Sequence, residues 1–274
     1  MRLEGTYVVR RVPLRERIAY YVRILRVLAR TEFKLKYAGA VLGYVWSLAK
    51  PLLYFAVLWV VFGHLFKAGV PHFPVYLLIG IVLYSFLADT VSLALPSIVS
   101  RGVVLRRIAF PSFAIPVATA ISSFVTFALN CVMVLVFILA SGITPSPRWF
   151  VLVALLLEYT AFVLGVALIF SALFVRFRDV AQIWDVLTSV LLFTSAIMYP
   201  MSIMPSWAQR IVSLTPLVQV IQDARRIVFT NAPDVAAIVT TAEGRLVPIV
   251  LSFLTLVCGI WLQRRESPRF AEVA

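Results

Sequence analysis

Six apolar runs, separated by short polar segments, follow one another along the chain from residue 48 onward. Each run approaches or exceeds the ~18–20 residues that a helix needs to cross a hydrocarbon core of ~30 Å. The pattern therefore predicts an all-α integral membrane protein. Its six transmembrane helices are expected over residues 48–66, 75–98, 113–140, 150–175, 186–203 and 247–262. In this interpretation residues 48–274 form the transmembrane domain, and residues 1–47 form a cytoplasmic N-terminal segment.

A different periodicity precedes the first run, between Leu14 and about Lys36. Apolar residues recur there at steps of four, three and four: Ile18, Val22, Leu25 and Ala29. Cations occupy the opposite side of a helix with 100° per residue: Arg23, Arg26, Arg30 and Lys34. The pattern indicates a basic amphipathic helix in the membrane interface, with its cations toward anionic headgroups. A solvated helix that packs on a soluble domain is the alternative, but the sequence offers no such domain.

Residues 204–245 are less apolar than the six runs but too hydrophobic for an exposed loop, and Pro205 and Pro216 interrupt them. Two short helices that dip partly into the membrane fit this composition. Irregular backbone at that depth is tolerated only where protein or a water-filled cavity covers it. We expect these short outer helices within residues 204–230.

Composition supports the membrane assignment, because 62% of the residues are hydrophobic and the mean hydropathy is +0.99. Soluble domains average roughly 45–50% apolar residues. The net charge of +13 does not indicate nucleic-acid binding, since Lys and Arg flank the apolar runs and are nearly absent within them. With both termini inside, the inner segments contain 19 Lys and Arg residues and the outer segments six. The positive-inside rule therefore predicts cytoplasmic termini.

Several classes of chemistry are disfavoured by the sequence. It contains neither the glycine-rich P-loop that cradles nucleotide phosphates nor a dinucleotide-binding glycine fingerprint. His64 and His72 have no acidic partners at metal-ligand spacing, so we expect no metal site. Cys131 and Cys258 lie in separate apolar runs, which argues against a disulfide framework. No cleavable signal peptide is apparent in the first 40 residues, so the first span is expected to direct insertion.

Four side chains in the predicted spans are candidates for a transport path: Tyr54, Trp59, Asp89 and Glu158. A carboxylate is costly in hydrocarbon and usually faces a bundle interior or a cavity. Pore lining or helix packing is favoured over a proton relay, because a relay normally needs a chain of such groups. The aromatic rings could stack on the apolar faces of sugars, or they could simply pack against lipid.

Small residues mark one position inside the fourth run, where Ala161 and Gly165 are four residues apart. This spacing lets two helix backbones approach each other closely. We therefore expect a tight helix contact at this place.

Three groups of residues resemble the permease subunits of type-2 ATP-binding-cassette exporters, specifically those for polysaccharides and polyol phosphates. The first group is Arg30-x-Glu32-x-Lys34-x-x-Tyr37 with Leu42-Gly43-x-x-Trp46. The second is Leu105-Arg106-Arg107-Ile108-Ala109-Phe110-Pro111. The third comprises Arg176-Phe177-Arg178-Asp179, Met198-Tyr199-Pro200-Met201 and Leu214-Thr215-Pro216-Leu217, followed by Ala224-Arg225. Two departures, Thr215 for the usual Asn and Ala196 for the usual Ser-Pro approach, bear on the outer gate or the substrate but not on the class.

The resemblance implies a homodimeric permease that pairs with two copies of a separate ATPase in the bacterial inner membrane. ATP and Mg²⁺ would be held by that ATPase, and this chain would need no cofactor. The implied cargo is a polysaccharide or a teichoic-acid-like polymer on a polyprenyl diphosphate lipid, with O-antigen, teichoic acid and galactan as family examples. An exporter of a small amphipathic drug or lipid is the alternative, and a membrane-embedded glycosyl or phosphoryl transferase is a weaker one.

The resemblance also assigns roles to particular residues. Coupling to the ATPase is implied for Arg101, Leu105, Arg106, Arg107, Phe110 and Pro111. The interface helix would place Arg23, Arg26, Arg30, Glu32 and Lys34 near lipid headgroups or near the diphosphate of the cargo. A Leu-Gly turn is implied at Leu42 and Gly43, and an outer gate at Tyr199, Pro200 and Pro216.

Overall fold

The computed structural model describes residues 14–36, 39, 43–65, 70–101, 113–229 and 242–273, and all regular structure in these ranges is helical. The helices are α1 Leu14–Lys36, α2 Trp46–Leu58, α3 Phe73–Ala94, α4 Ser97–Ser100, α5 Ala114–Ala140, α6 Phe150–Arg176, α7 Val180–Thr194, α8 Ser206–Ser213, α9 Pro216–Val228 and α10 Ala242–Val273. A π-helical segment, Trp59–Leu65, continues α2. The all-α prediction is therefore confirmed for the described part of the chain.

Five helical segments are long and apolar enough to cross a membrane. They are Trp46–His64, Phe73–Ala94, Ala114–Ala140, Pro147–Arg176 and Leu246–Ser267. These segments coincide, to within a few residues at most ends, with five of the six predicted spans. The remaining predicted span, the fifth in chain order, corresponds to the shorter apolar helix α7. The chain is thus a multi-pass membrane protein with about six spans.

The predicted bounds of the fifth span, 186–203, were wrong. Helix α7 begins six residues earlier, at Val180, and ends at Thr194. Beyond it the backbone turns at Ala196, whose φ is 50°, so the helix cannot continue. The next residues, including Ile197 and Met198, are buried in the protein. Their hydrophobicity therefore reflects packing against protein in an irregular segment.

Helix α3 lies at the centre of the packed bundle. It contacts α5, α6 and α9, and every residue from Val75 to Leu83 is buried. This half of the helix is apolar on all sides because protein surrounds it. Helix α9 is also largely buried and packs against both α3 and α6, whereas the amphipathic helix α1 lies along α5.

The longest helix contact joins α6 and α10, and small residues make it possible. A Cβ atom added to Gly165 would lie 2.5 Å from the backbone nitrogen of Leu256, and one added to Gly259 would lie 2.7 Å from the carbonyl oxygen of Gly165. Farther along, the Gln263 side chain donates hydrogen bonds to the carbonyl of Leu168 and to the Ser171 hydroxyl, at 3.0 and 2.9 Å. The close contact expected at Gly165 is confirmed.

Replacing Gly165 with valine should separate α6 from α10, because the new side chain would overlap the backbone of α10. Overpacking of this kind costs about 1–3 kcal/mol, which corresponds to a fall of roughly 3–10 °C in the unfolding midpoint. Thermal unfolding of the purified protein in detergent measures the effect. Ala154→Val on the exposed side of the same helix is the matched control. Equal midpoints for the two variants would contradict the proposed contact.

Candidate functional site

An open cleft of about 970 Å³ separates α2 from α3. Helix α2 contributes Trp46, Lys50 and Tyr54 to its walls, and α3 contributes Tyr84 and Asp89. The Lys50 ammonium lies 2.7 Å from the Asp89 carboxylate, and both side chains are accessible. The Tyr84 hydroxyl donates a 2.9 Å hydrogen bond to the carbonyl of Thr188 in α7, which fixes its ring. The cleft therefore combines aromatic surface with an exposed ion pair.

The inner wall of this cleft continues into a small polar void between α3 and α5. The void has a volume of about 20 Å³, room for one water molecule. Three buried polar atoms line it without a partner among the described residues: Thr90 Oγ1, Ser123 Oγ and Asn130 Oδ1. The Lys36 ammonium borders both the void and the cleft, and it donates a 3.4 Å hydrogen bond to Thr126. These side chains make the wall polar, although α3 and α5 are otherwise apolar helices.

The structure brings together two of the four predicted path residues, Tyr54 and Asp89, which both line the cleft. Trp59 lies beyond it on the π-helical segment, where its ring is stacked 6.2 Å from that of Phe55. Glu158 is on α6 and faces α10, with the Ser252 hydroxyl 3.5 Å from its carboxylate. Roles in transport remain predictions for all four residues.

Helix α1 presents its predicted cations to the surface. Arg23, Arg26, Arg30 and Lys34 are all exposed. Ala29, in contrast, is buried where α1 packs against α5. This arrangement agrees with an amphipathic helix, and the contact with headgroups remains a prediction.

Glu32 of α1 forms an ion pair with Arg101, which follows α4. The Arg101 guanidinium lies 2.5 Å from the Glu32 carboxylate. The side chain of Arg101 is only 23% exposed, and that of Glu32 is only 17% exposed. Burial raises the pKa of the Glu32 carboxyl above its ordinary value, and Arg101 opposes that shift. The ion pair thus favours the charged form of Glu32 and ties α1 to the end of α4.

Most of the predicted coupling residues lie outside the described residues: Leu105, Arg106, Arg107, Phe110 and Pro111. The same holds for Leu42 of the Leu-Gly turn. Gly43 begins a short 3₁₀ turn ahead of α2 with a φ of 50°, a conformation that glycine adopts without strain. The ion pair at Arg101 is therefore the described contact that leads toward the coupling segment.

The predicted outer-gate residues lie around the turns that flank α8. The Tyr199 hydroxyl donates to the carbonyl of Phe193 at the end of α7, and the Tyr199 carbonyl accepts a 3.2 Å hydrogen bond from Tyr76 of α3. Pro200 follows directly, and Pro216 is buried in the first turn of α9. Gating by these residues remains a prediction.

A fully buried guanidinium, that of Arg225 in α9, holds the region around these turns together. It donates to the carbonyls of Tyr76, Ala196 and Ile197 at 3.1, 2.8 and 2.9 Å. Its central carbon lies 3.3 Å from the centroid of the Tyr76 ring. No carboxylate among the described residues pairs with it. Carbonyl dipoles and an aromatic face therefore replace a counter-ion.

Arg225 was included in the family resemblance and counted among the six cations of the outer segments, but the sequence patterns assigned this residue no structural role. The available signal was helical spacing. Leu217, Ile221 and Val228 are buried on one side of α9, and Arg225 falls four residues after Ile221 and three before Val228. Its neighbour Arg226 points outward and is exposed.

Known proteins with related sequences are membrane transporters. Residues 23–229 match the family described as ABC-2 type transporter. The chain is 25% identical to an O-antigen export system permease protein, RfbA, of Klebsiella pneumoniae over 96% of its own length and 99% of the relative's. It is 27% identical to the RfbA protein of Myxococcus xanthus, covering 92% and 95% of the two chains. A polysialic acid transport protein, KpsM, of Escherichia coli is 22% identical over 72% and 78%.

Replacing Arg225 with lysine should loosen the turn after α7, because an ammonium cannot match the planar fork that reaches three carbonyls. Each buried carbonyl left unpaired costs about 1–3 kcal/mol, so the unfolding midpoint should fall by roughly 5–10 °C. Hydrogen exchange at Ala196 and Ile197 should accelerate as well. Arg226→Lys on the exposed side of α9 is the matched control. Unchanged exchange in Arg225→Lys would show that the guanidinium does not hold the turn.

Proposed function

This chain belongs to the ABC-2 type transporter family, and we propose that it is the membrane-spanning subunit of a polysaccharide exporter. The observation that carries the proposal is its end-to-end similarity to O-antigen export permeases. Small-amphipath export is the less supported alternative, since the relatives named for a cargo carry polysaccharides.

The proposed machine contains two copies of this chain and two copies of a separate ATPase. The sequence lacks a P-loop, so ATP and Mg²⁺ are assigned to the ATPase subunit. The charge distribution supports an inner-membrane orientation with both termini in the cytoplasm. In this arrangement the cargo is a glycan polymer on a polyprenyl diphosphate lipid, and it leaves the cytoplasm through a path between the two copies.

The cleft between α2 and α3 is the proposed wall of that path. The rings of Trp46, Tyr54 and Tyr84 supply faces on which sugar rings can stack. The exposed pair of Lys50 and Asp89 supplies a donor and an acceptor for sugar hydroxyls. An exposed ion pair is worth only about 0–1 kcal/mol, so it can exchange partners with a passing polymer at little cost.

Depletion of this chain in its native bacterium should cause a lipid-linked glycan to accumulate inside the cell and the surface polymer to decline. Mass analysis of the lipid fraction measures this. Complementation with Tyr54→Ala and Asp89→Ala should restore export about 3–10-fold less well than the unmodified chain, because each removes a proposed sugar contact.

Phe150→Ala is the matched control for those variants, since Phe150 is an exposed aromatic residue outside the cleft. It should restore export fully. A depleted strain that keeps its surface polymers but becomes sensitive to small amphipathic compounds would instead indicate drug export. Full complementation by both cleft variants would remove the cleft from the path.

The ion pair between Glu32 and Arg101 is the proposed mechanical link between the ATPase and the membrane helices. It joins the interface helix α1 to Arg101, the first of the predicted coupling residues. Breaking a largely buried ion pair by removing one partner costs about 3–5 kcal/mol. Closure of the ATPase dimer would therefore move α1 and the segment after Arg101 together.

Reversing either charge, by Glu32→Arg or Arg101→Glu, should strongly reduce ATP-driven export because like charges then face each other. The double variant should recover a large part of the activity. ATPase stimulation and export by the reconstituted complex provide the two measurements. Arg178→Glu, an exposed charge reversal after α6, should leave both nearly unchanged. A double variant as impaired as the single ones would contradict the mechanical link.

A further inference from the structure

A groove of about 820 Å³ runs between the interface helix α1 and the spanning helix α5. Its apolar floor comes from Leu25, Ala29 and Phe33 of α1 and from Ile121 and Val125 of α5. Val125 is 42% exposed although it lies in a helix that is long and apolar enough to span the membrane. The groove therefore presents apolar surface at a place where α1 leaves α5 uncovered.

Cations line the same groove. Arg26, Arg30 and Lys34 follow one another at four-residue steps along α1, so they stand in one row. All three are exposed, and none is paired with a carboxylate among the described residues. No Asp or Glu is among the described residues that line the groove. The cations of the groove match an anion, and its apolar floor matches an apolar chain attached to that anion.

The depth of the groove fits the boundary between headgroups and acyl chains. Helix α5 has 27 residues and is about 40 Å long, roughly 10 Å more than the hydrocarbon core. Ile121 and Val125 lie about 10–17 Å from its first residue. If the excess length is shared between the two ends, Ile121 lies about 5 Å and Val125 about 12 Å inside the hydrocarbon. An amphipathic helix inserts its apolar face to about the same depth.

We propose that this groove is a binding site for an anionic phospholipid. One acyl chain lies on the floor between α1 and α5, and the phosphate lies among Arg26, Arg30 and Lys34. Each cation near an anionic headgroup raises affinity roughly fivefold, so the row favours an anionic over a zwitterionic lipid. The bound lipid holds α1 against α5. This site concerns a resident membrane lipid, so it stands or falls independently of the exported cargo.

The test is lipid retention by the full chain, purified alone and with its ATPase, after exchange into mixed dioleoyl phosphatidylglycerol and phosphatidylcholine. Native mass spectrometry counts the bound lipids. We expect phosphatidylglycerol to be retained selectively. The variant carrying Arg26→Gln, Arg30→Gln and Lys34→Gln should lose at least tenfold in phosphatidylglycerol affinity. The matched control, Arg176→Gln with Arg178→Gln at the end of α6, should retain it.

A second variant, Val125→Trp, fills the groove and leaves all cations in place. It should also lose the lipid, and it keeps the test decisive if the triple variant misfolds. Retention by Val125→Trp would overturn the proposal in favour of diffuse surface attraction, as would equal binding of the two lipids. Loss of the lipid when the ATPase binds would assign the groove to that subunit. Displacement of phosphatidylglycerol by a copurifying polyprenyl diphosphate glycan would assign it to the cargo.

Discussion

Arg225 occupies the point where α3, α9 and the turn after α7 meet. In a bilayer, each backbone carbonyl released by the end of a helix needs a donor from the protein. Helix α7 ends at Thr194, and the carbonyls of Ala196 and Ile197 lie in the irregular segment that follows, outside any helical ladder. The guanidinium supplies donors to both and to Tyr76 of α3. A helix can therefore stop inside this bundle because one side chain satisfies the backbone that follows it.

The buried guanidinium also restricts which residues can lie beside it. A Cβ atom at Gly80 would lie 2.8 Å from a terminal nitrogen of the guanidinium, so α3 needs glycine there. Once α9 is fixed in place, the first half of α3 is enclosed by protein. The second half is not, and its more accessible positions face the cleft, among them Tyr84, Ser85, Ala88 and Asp89. The cleft opens on the part of α3 that the Arg225 contact leaves uncovered.

Hydropathy predicted the membrane helices well, because about twenty apolar residues in succession form a signal that short-range context cannot obscure. It misplaced the fifth span because a side chain such as that of Ile197 is equally apolar whether protein or lipid surrounds it. Tyr54 and Asp89 could be selected individually for their position in apolar runs. Their shared cleft could not be predicted, since the partner Lys50 is 39 residues away from Asp89 and only tertiary packing joins them.

Helix α1 makes several different contacts along its length. Ala29 packs on α5, Glu32 pairs with Arg101, and Arg30 and Lys34 remain exposed, all within two turns of α1. Because α1 is a continuous helix of 23 residues, a force applied at Glu32 acts on all of these contacts together. Coupling to the ATPase and attachment to lipid, as proposed, therefore share one rigid element. If both proposals hold, the membrane surface belongs to the mechanical path, since it would support the helix through which the ion pair at Arg101 transmits motion.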